Sequence, residues 1–460
     1  MKEEIFKFPG KKELLVQNLE IENQQKTEIE CREIELKPYD SIYSYLNLPL
    51  LAVGKNCFQV RKINKKDINL DKFKSSLIQT IKNHPCFQSR LFKKNEEVYL
   101  KYCPNIEPNI EIKNIKDCDL NKNIQENLHI FQPFDSQLAY FTILLSESSL
   151  YLIVDIYHGI FDGWSGNIFW DSLSRAYLDK KLPYDYYFYF LKKYNDSKKN
   201  NTNEKFYEKN YDKFNNFKIK YDNNIDLRIK NAKTPQKIIK ILNFGNLYEK
   251  LNTYFDSISK YNIFLAMNIL LTLYIFSDYK NNYQEMYITF AGRNWKKEMY
   301  NIGFHLQDVP FKYYFKNGKI NFKDFFENLQ IQLNNRINKG RCPFDLSNNR
   351  IGGITDIDNI FRQNYILEDK KCEVVSGCHT EINEKCEEFV TPIYPRLSIG
   401  NNSAMFIIIF NAKLYNQITA EKFADISEKV GYFIFENIKK KDNNYIDIQK
   451  ELENIEQKYY

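Results

Sequence analysis

The chain has 460 residues, more than one hydrophobic core ordinarily holds together and suited to two or three packed lobes, of which two are expected. Hydrophobic residues at 43% and charged residues at 27% match soluble globular usage, so the chain is expected to fold. The formal charge of +7 is spread among acids rather than gathered in a block, which points away from nucleic acid and suits steering of an acidic partner or an anionic substrate.

The first residues, Met1-Lys2-Glu3-Glu4-Ile5, place two acids beside one lysine, with no apolar core of signal-peptide length. A cytoplasmic location is therefore expected. Residues 1–30 read as an N-terminal extension and 31–195 as a first lobe. From Leu70, the residues Phe73, Leu77, Ile78 and Ile81 fall at helical spacing, and the pattern stops at Asn83-His84-Pro85, since the residue before proline disfavours helix. His84 reads as a helix-terminal packing residue, and His129, just before Ile130-Phe131, as structural. Two apolar runs, 138–145 and 150–157, are separated by Ser146-Glu147-Ser148-Ser149, which is hairpin chemistry. Gly159, Gly163 and Gly166 then punctuate a turn, after which Ile168, Phe169, Leu173, Ala176 and Tyr177 resume a helical stripe. His158 is thereby placed at a strand-to-helix turn.

Residues 196–224, dominated by Lys, Asn, Asp and aromatics without a clean period, read as an inter-lobe connection, and 225–440 as a second α/β lobe. Within it, helices are expected over 247–260, 263–276, 322–337 and 420–438, and strands over 286–291 and 405–410. The apolar run 263–276 is interrupted by Asn268 and Thr272 and is too short to cross a bilayer, so no membrane span is predicted. Nine cysteines without a CxxC pair suit reduced thiols, and the grouping of Cys372, Cys378, His379 and Cys386 matches no usual zinc spacing. No metal is predicted. Residues 441–460 form a charged tail, read as a solvated or frayed helix.

The chemistry concentrates in Tyr157-His158-Gly159-Ile160-Phe161-Asp162-Gly163. Acyl transfer from a thioester needs a neutral imidazole beside the incoming nucleophile, and a thioester is activated enough to need no acyl-enzyme. No GxSxG nucleophile elbow is present. Asp162 has two readings, as acceptor of the imidazole hydrogen bond or as a structural carboxylate held by an arginine fork. The structural one is favoured, with Arg293 of Ala291-Gly292-Arg293 as the partner that locks the lobes together. Gly163 leaves the approach open, and its N–H is a candidate oxyanion donor.

The stretch Tyr157 to Ser165 resembles the HHxxxDGWS signature of the condensation domains of nonribosomal peptide synthetases, with Tyr157 in place of the first histidine. His158, Asp162 and Gly163 take the positions of the functional histidine, the structural aspartate and the glycine. Softer likenesses follow in the family's order. Lys82 to Arg90 resembles "rHpxLRtr", Ala291-Gly292-Arg293 resembles "GR", and Ile302 to Pro310 resembles the strand "iGfFvNtlP", with Gln307 at the usual asparagine. The resemblance implies an α/β architecture of mixed sheets with flanking helices, arranged as two chloramphenicol-acetyltransferase-like lobes in a V, with His158 in a tunnel between them. Tyr157, Trp164, Ser165, His305 and Gln307 are candidate tunnel-lining residues, His305 being open to tunnel or packing.

It further implies donors presented on the phosphopantetheine of acidic acyl or peptidyl carrier proteins, or on coenzyme A, an amine or alcohol acceptor, no intrinsic cofactor, and a monomer. With neither a carrier segment nor a nucleotide-binding loop in evidence, the chain is expected to act as a lone catalytic unit. Two alternatives stand beside this reading. One is an alcohol or amine acyltransferase using acyl-coenzyme A, which shares His-x-x-x-Asp but carries an Asp-Phe-Gly-Trp-Gly motif not found here. The other is a condensation-like platform that recruits partners without catalysis. Epimerisation of a carrier-bound residue is a third use of a related fold.

Overall fold

The computed structural model describes residues 34–46, 55–134, 136–198, 235–243, 283–290, 292–293 and 297–314, and in the remainder 319–321, 323–325, 327–328, 331–332, 352–356, 366–367, 370–371, 373–377, 393–399, 403–411, 417–437, 445–447, 450 and 454. The first half runs β1 (Ile34–Leu36), β2 (Asn56–Asn64), α1 (Leu70–Asn83), β3 (Ser89–Lys94), β4 (Glu97–Tyr102), β5 (Ile110–Asn114), α2 (Leu120–Asn127), β6 (Ala139–Leu145), β7 (Ser149–Tyr157), α3 (Gly163–Tyr177) and α4 (Tyr187–Lys198). The expected inter-lobe connection thus begins inside the last turn of α4, because Tyr187, Phe188, Phe190 and Leu191 bury one face of that helix.

Local chemistry accounts for these boundaries. Asn69 caps α1 by accepting the Lys72 N–H at 3.0 Å, and the helix ends at Asn83, ahead of His84-Pro85. Phe73, Leu77 and Ile81 are buried, while Ile78, one position off that line, lies at the surface. The β3–β4 hairpin turns on Asn95 and Glu96, both at positive φ, the pairing that suits the twist of a two-residue hairpin. The sequence hides this turn, having no glycine there.

β7 is buried at every one of its nine positions, as expected of a central strand covered on both faces. Its alternate residues feed two cores. Leu150, Leu152, Val154 and Ile156 pack with Leu77, Phe141, Phe169 and Trp170 on the side of α1 and α3, whereas Tyr151 and Ile153 pack with Phe58, Val60, Ile124 and Leu128 on the side of α2. β7 pairs antiparallel with β6 and with β2, Asn56 opposite Tyr157, and β5 adds parallel to β6.

The second half contributes β8 (Pro235–Asn243), β9 (Tyr283–Phe290), β10 (Gln307–Tyr314), β11 (Lys319–Ile320), β12 (Gly352–Asp356), β13 (Ile366–Leu367), β14 (Lys370–Lys371), β15 (Glu373–Gly377), β16 (Ile393–Ile399), β17 (Ser403–Asn411), α5 (Gln417–Asn437) and β18 (Ile446–Asp447). Six of these strands form a sheet in the order β10-β9-β12-β16-β17-β8, antiparallel except where β12 meets β9 and β16. Two features depart from the sequence reading. β15 leaves this sheet and pairs antiparallel with β2, Glu373 opposite Lys62, so the first-half sheet is β15-β2-β7-β6-β5. Within the charged tail, β18 pairs with β11 instead of fraying. The expected helices over 247–260 and 263–276 and the cluster Cys372, Cys378, His379 and Cys386 lie outside the described residues, as does residue 291 of the expected strand 286–291.

Phe169 is the pivot of the larger core. It stacks with Phe141 at a 5.7 Å centroid separation and meets Phe87 and Trp170 edge-on at 5.9 and 5.2 Å. Phe169→Ala is expected to destabilise the fold by about 3–5 kcal/mol, read as a lower urea midpoint with unchanged slope.

Candidate active site

The site begins where β7 runs out. Tyr157 N–H donates to the Leu138 carbonyl at 2.8 Å and His158 N–H to the Lys55 carbonyl at 2.9 Å, so the sheet's hydrogen bonding carries through to the motif. One tight turn, 158–160, follows before Asp162 caps α3 by accepting the Ser165 N–H at 2.8 Å. The Tyr157 ring folds over Gly159, where a Cβ would stand 2.3 Å from its Cε1. Glycine is therefore required at position 159 by contact. Tyr157 itself is fully buried, its ring 6.0 Å from that of Phe131. His158 remains half-buried and meets the Phe304 ring edge-on at 5.9 Å.

Asp162 takes the structural of its two readings, held by the Arg293 fork. Its Oδ2 accepts from Arg293 Nη1 at 2.8 Å and from the His305 N–H at 3.0 Å. Its Oδ1 accepts from Arg293 Nη2 at 3.0 Å and from the Ser165 N–H, with the Ser165 hydroxyl 2.8 Å away. Asp162 is 0% exposed and the Arg293 side chain 1%, so the pair is a desolvated, two-pronged ion pair whose lone pairs are filled by further donors. Arg293 Nη2 also reaches the Asn301 carbonyl at 3.0 Å and Ser165 Oγ at 2.9 Å. The guanidinium stands 5.9 Å over the Trp164 ring, and the indole N–H donates to the Met299 carbonyl at 3.1 Å. Trp164 and Ser165 are thus engaged with second-half backbone.

The segment 301–306 precedes β10 rather than lying within it, which relocates His305 from a strand to an irregular approach. The reason is visible in its hydrogen bonds. Gly303 N–H goes to Ser165 Oγ at 3.0 Å, His305 N–H to Asp162, and Ile302 N–H to Asp185 at 2.9 Å, so side chains take the donors a ladder would need. Gly303 lies so close to the Tyr187 ring that a Cβ would stand 2.1 Å from it. His305 is buried between Tyr39 and Tyr187, its ring centroid 5.6 and 5.2 Å from theirs. Gln307, the first residue of β10, is buried as well.

Sequence reasoning passed over a second buried carboxylate, Asp185. It accepts from His84 Nδ1 at 2.7 Å, while His84 Nε2 lies 2.9 Å from Ser172 Oγ. Asp185 also takes the N–H groups of Tyr187 and Ile302. The serine, imidazole and carboxylate have the connectivity of a hydrolytic triad, but all three are fully buried, so they brace the turn after α1 instead of meeting solvent. One signal was available, a lone acid within the aromatic run Tyr184-Asp185-Tyr186-Tyr187. His129 donates its backbone N–H to Asp155, holds the same carboxylate through Nδ1 at 3.0 Å and stacks on Tyr140 at 3.6 Å. Cys86 offers no thiolate, because burial, reinforced by the carboxylates of Asp185 and Asp162, pushes its thiol well above the ordinary range.

Removing the arginine isolates a buried carboxylate. Arg293→Ala is expected to lower stability by about 3–5 kcal/mol, with Arg293→Lys recovering only part, since an ammonium cannot supply the fork; chemical denaturation of the three proteins measures both.

The sequence matches the family model of the condensation domain over residues 57–441. No curated protein matches it. Among solved structures, the X-domain from teicoplanin biosynthesis superimposes with a TM-score of 0.70 at 11% identity, covering 90% of this chain and 97% of its own. The condensation domain of the monacolin K polyketide synthase MokA gives 0.69 at 8% identity over 90% and 99%, and the starter condensation domain of rhizomide synthetase RzmA in complex with C8-CoA gives 0.64 at 10% over 86% and 91%. A match spanning most of the chain, with the motif set at the strand-to-helix turn, places this protein in the condensation-domain family.

Proposed function

We propose that the chain is a condensation-type acyltransferase joining a thioester-bound acyl or aminoacyl donor to an amine or alcohol, with His158 as general base or positioning group. The observation that carries this reading is the contrast in burial at the motif: His158 is half-buried, while Asp162, Ser165 and His305 are fully enclosed. An imidazole so placed is the group available to an incoming nucleophile.

In the proposed reaction the acceptor N–H or O–H gives its proton to the His158 imidazole as the nucleophile's lone pair attacks the thioester carbonyl. The tetrahedral intermediate collapses with loss of the thiolate, which takes the proton back. The N–H of Gly163, at the start of α3, is the candidate donor to the oxyanion. Asp162 acts at one remove, by holding the turn that aims His158. The thioester arrives as substrate on the phosphopantetheine of an acidic carrier protein or on coenzyme A. The net charge of +7 favours such anionic partners.

A second reading, a platform that binds a partner without turnover, is favoured by the likeness to the teicoplanin X-domain, which has been solved in complex with OxyB. Single-turnover transfer from a panel of acyl-carrier and acyl-coenzyme-A thioesters to mixed amines and alcohols separates the two. Catalysis predicts product that falls roughly 10²–10⁴-fold in His158→Ala, while the variant's unfolding curve stays within about 0.5 kcal/mol of the parent. Tight carrier binding with no product from the parent protein establishes the platform instead.

A further inference from the structure

Gln307 occupies a place in the site that the hydrogen bonding described so far does not explain. Its backbone enters the β10–β9 ladder opposite Phe290, and the residue is 2% exposed. Neither its Oε1 nor its Nε2 has a hydrogen-bond partner among the described residues. Asn301 supplies a contrast nearby. Its Nδ2 is likewise unfilled, but its Oδ1 accepts the Tyr186 N–H at 2.7 Å, so that amide has a structural use. Gln307 is buried with both functions vacant, an arrangement that costs stability an apolar side chain of the same length would keep.

Its position limits what the vacancy can serve. Phe304 packs against the His158 ring, and three residues of extended chain reach at most about 10 Å. The Gln307 backbone therefore lies within about 10 Å of Phe304, whose ring meets the imidazole edge-on, a separation that one extended substrate can span. A primary amide offers two N–H donors beside one carbonyl acceptor, the complement of a secondary amide, which presents one of each. A site built to hydrogen-bond an amide discriminates strongly against a substrate lacking it, because the protein's own amide is then left stranded.

We propose that Gln307 is a positioning residue that holds a secondary amide of the thioester substrate through a paired N–H···O=C and C=O···H–N contact. The inference rests on the acyl-transfer reading for the identity of the ligand as a thioester, and it commits the site to an amide-bearing chain on one side of the sulfur. Two sources have that chemistry: the pantetheine arm on the thiol side, or a peptidyl or N-acyl-aminoacyl group on the acyl side.

Binding to unreactive thioethers tests the assignment apart from catalysis. Three ligands of matched length are compared by calorimetry on the full chain, carrying a secondary amide on the thiol side, on the acyl side, or on neither. The parent protein is expected to bind one amide-bearing ligand at least about tenfold more tightly than the amide-free one, and which of the two it prefers identifies the source. Gln307→Met, close in shape and without donors, is expected to erase that preference while raising the melting temperature by about 1–3 °C, as filling a vacant polar site with an apolar group should. Gln307→Asn, shorter by one methylene, keeps the amide and is expected to retain part of the preference.

A Gln307→Met protein that melts lower than the parent overturns the proposal, because its amide is then satisfied within the fold or by a held water. A higher melting temperature with all three affinities unchanged overturns it too, since the vacancy then serves no ligand. Absence of product in the transfer assay, with the binding preference intact, sinks the catalytic reading and leaves the amide site standing.

Discussion

A buried carboxylate with nothing but protein around it must find donors for its lone pairs, and Asp162 finds them on both halves of the molecule. Ser165 supplies donors from the same turn, whereas Arg293 and the His305 backbone come from the second half. Moving either half would strip the charge of part of its shell in a medium of low dielectric. The turn bearing His158 is held from the same point, so the placing of that turn and the joining of the halves become one constraint. The aspartate of His-x-x-x-Asp is in this chain a keystone, with its charge spent on Arg293.

Asp185 repeats the device a short distance away. It draws on His84 at the end of α1, on Tyr187 at the start of α4 and on the Ile302 backbone. Between them the two carboxylates take N–H groups from the stretch 302–305 that would otherwise belong to a strand. The segment is thereby turned from sheet into a strap laid across the motif, with Phe304 on His158 and His305 wedged between Tyr39 and Tyr187.

Much of this was legible in the sequence, and the limit follows the range of the interactions. The hairpin of β6 and β7, the helices α1 and α3 and the placement of His158 are dictated by local period and glycine punctuation, all within a few residues of one another. The Asp162–Arg293 pairing was reachable because two motifs stand in family order. The fate of His305, the role of Asp185 and the departure of β15 were not, since each depends on a partner far away in sequence that no periodicity marks. A run such as Ile302 to Pro310 reads as continuous strand until the donors that intercept its first half are known. The charged tail misled for a related reason, because β18 is short and its partner β11 lies well upstream.

The crossing of β15 has a consequence for how the chain comes off the ribosome. Until Glu373–Gly377 emerges, β2 stands at the edge of its sheet with one row of backbone N–H and C=O groups unmatched, though α1, β6 and β7 have long been available to build the rest of the core around it. The first half can collapse early but completes its sheet only after most of the second half has been synthesised. Such long-range closure is slow, and during that interval the open flank of β2 is the surface on which another nascent chain could pair in place of the intended strand. Late closure therefore makes the first half's final solubility depend on the second half's arrival.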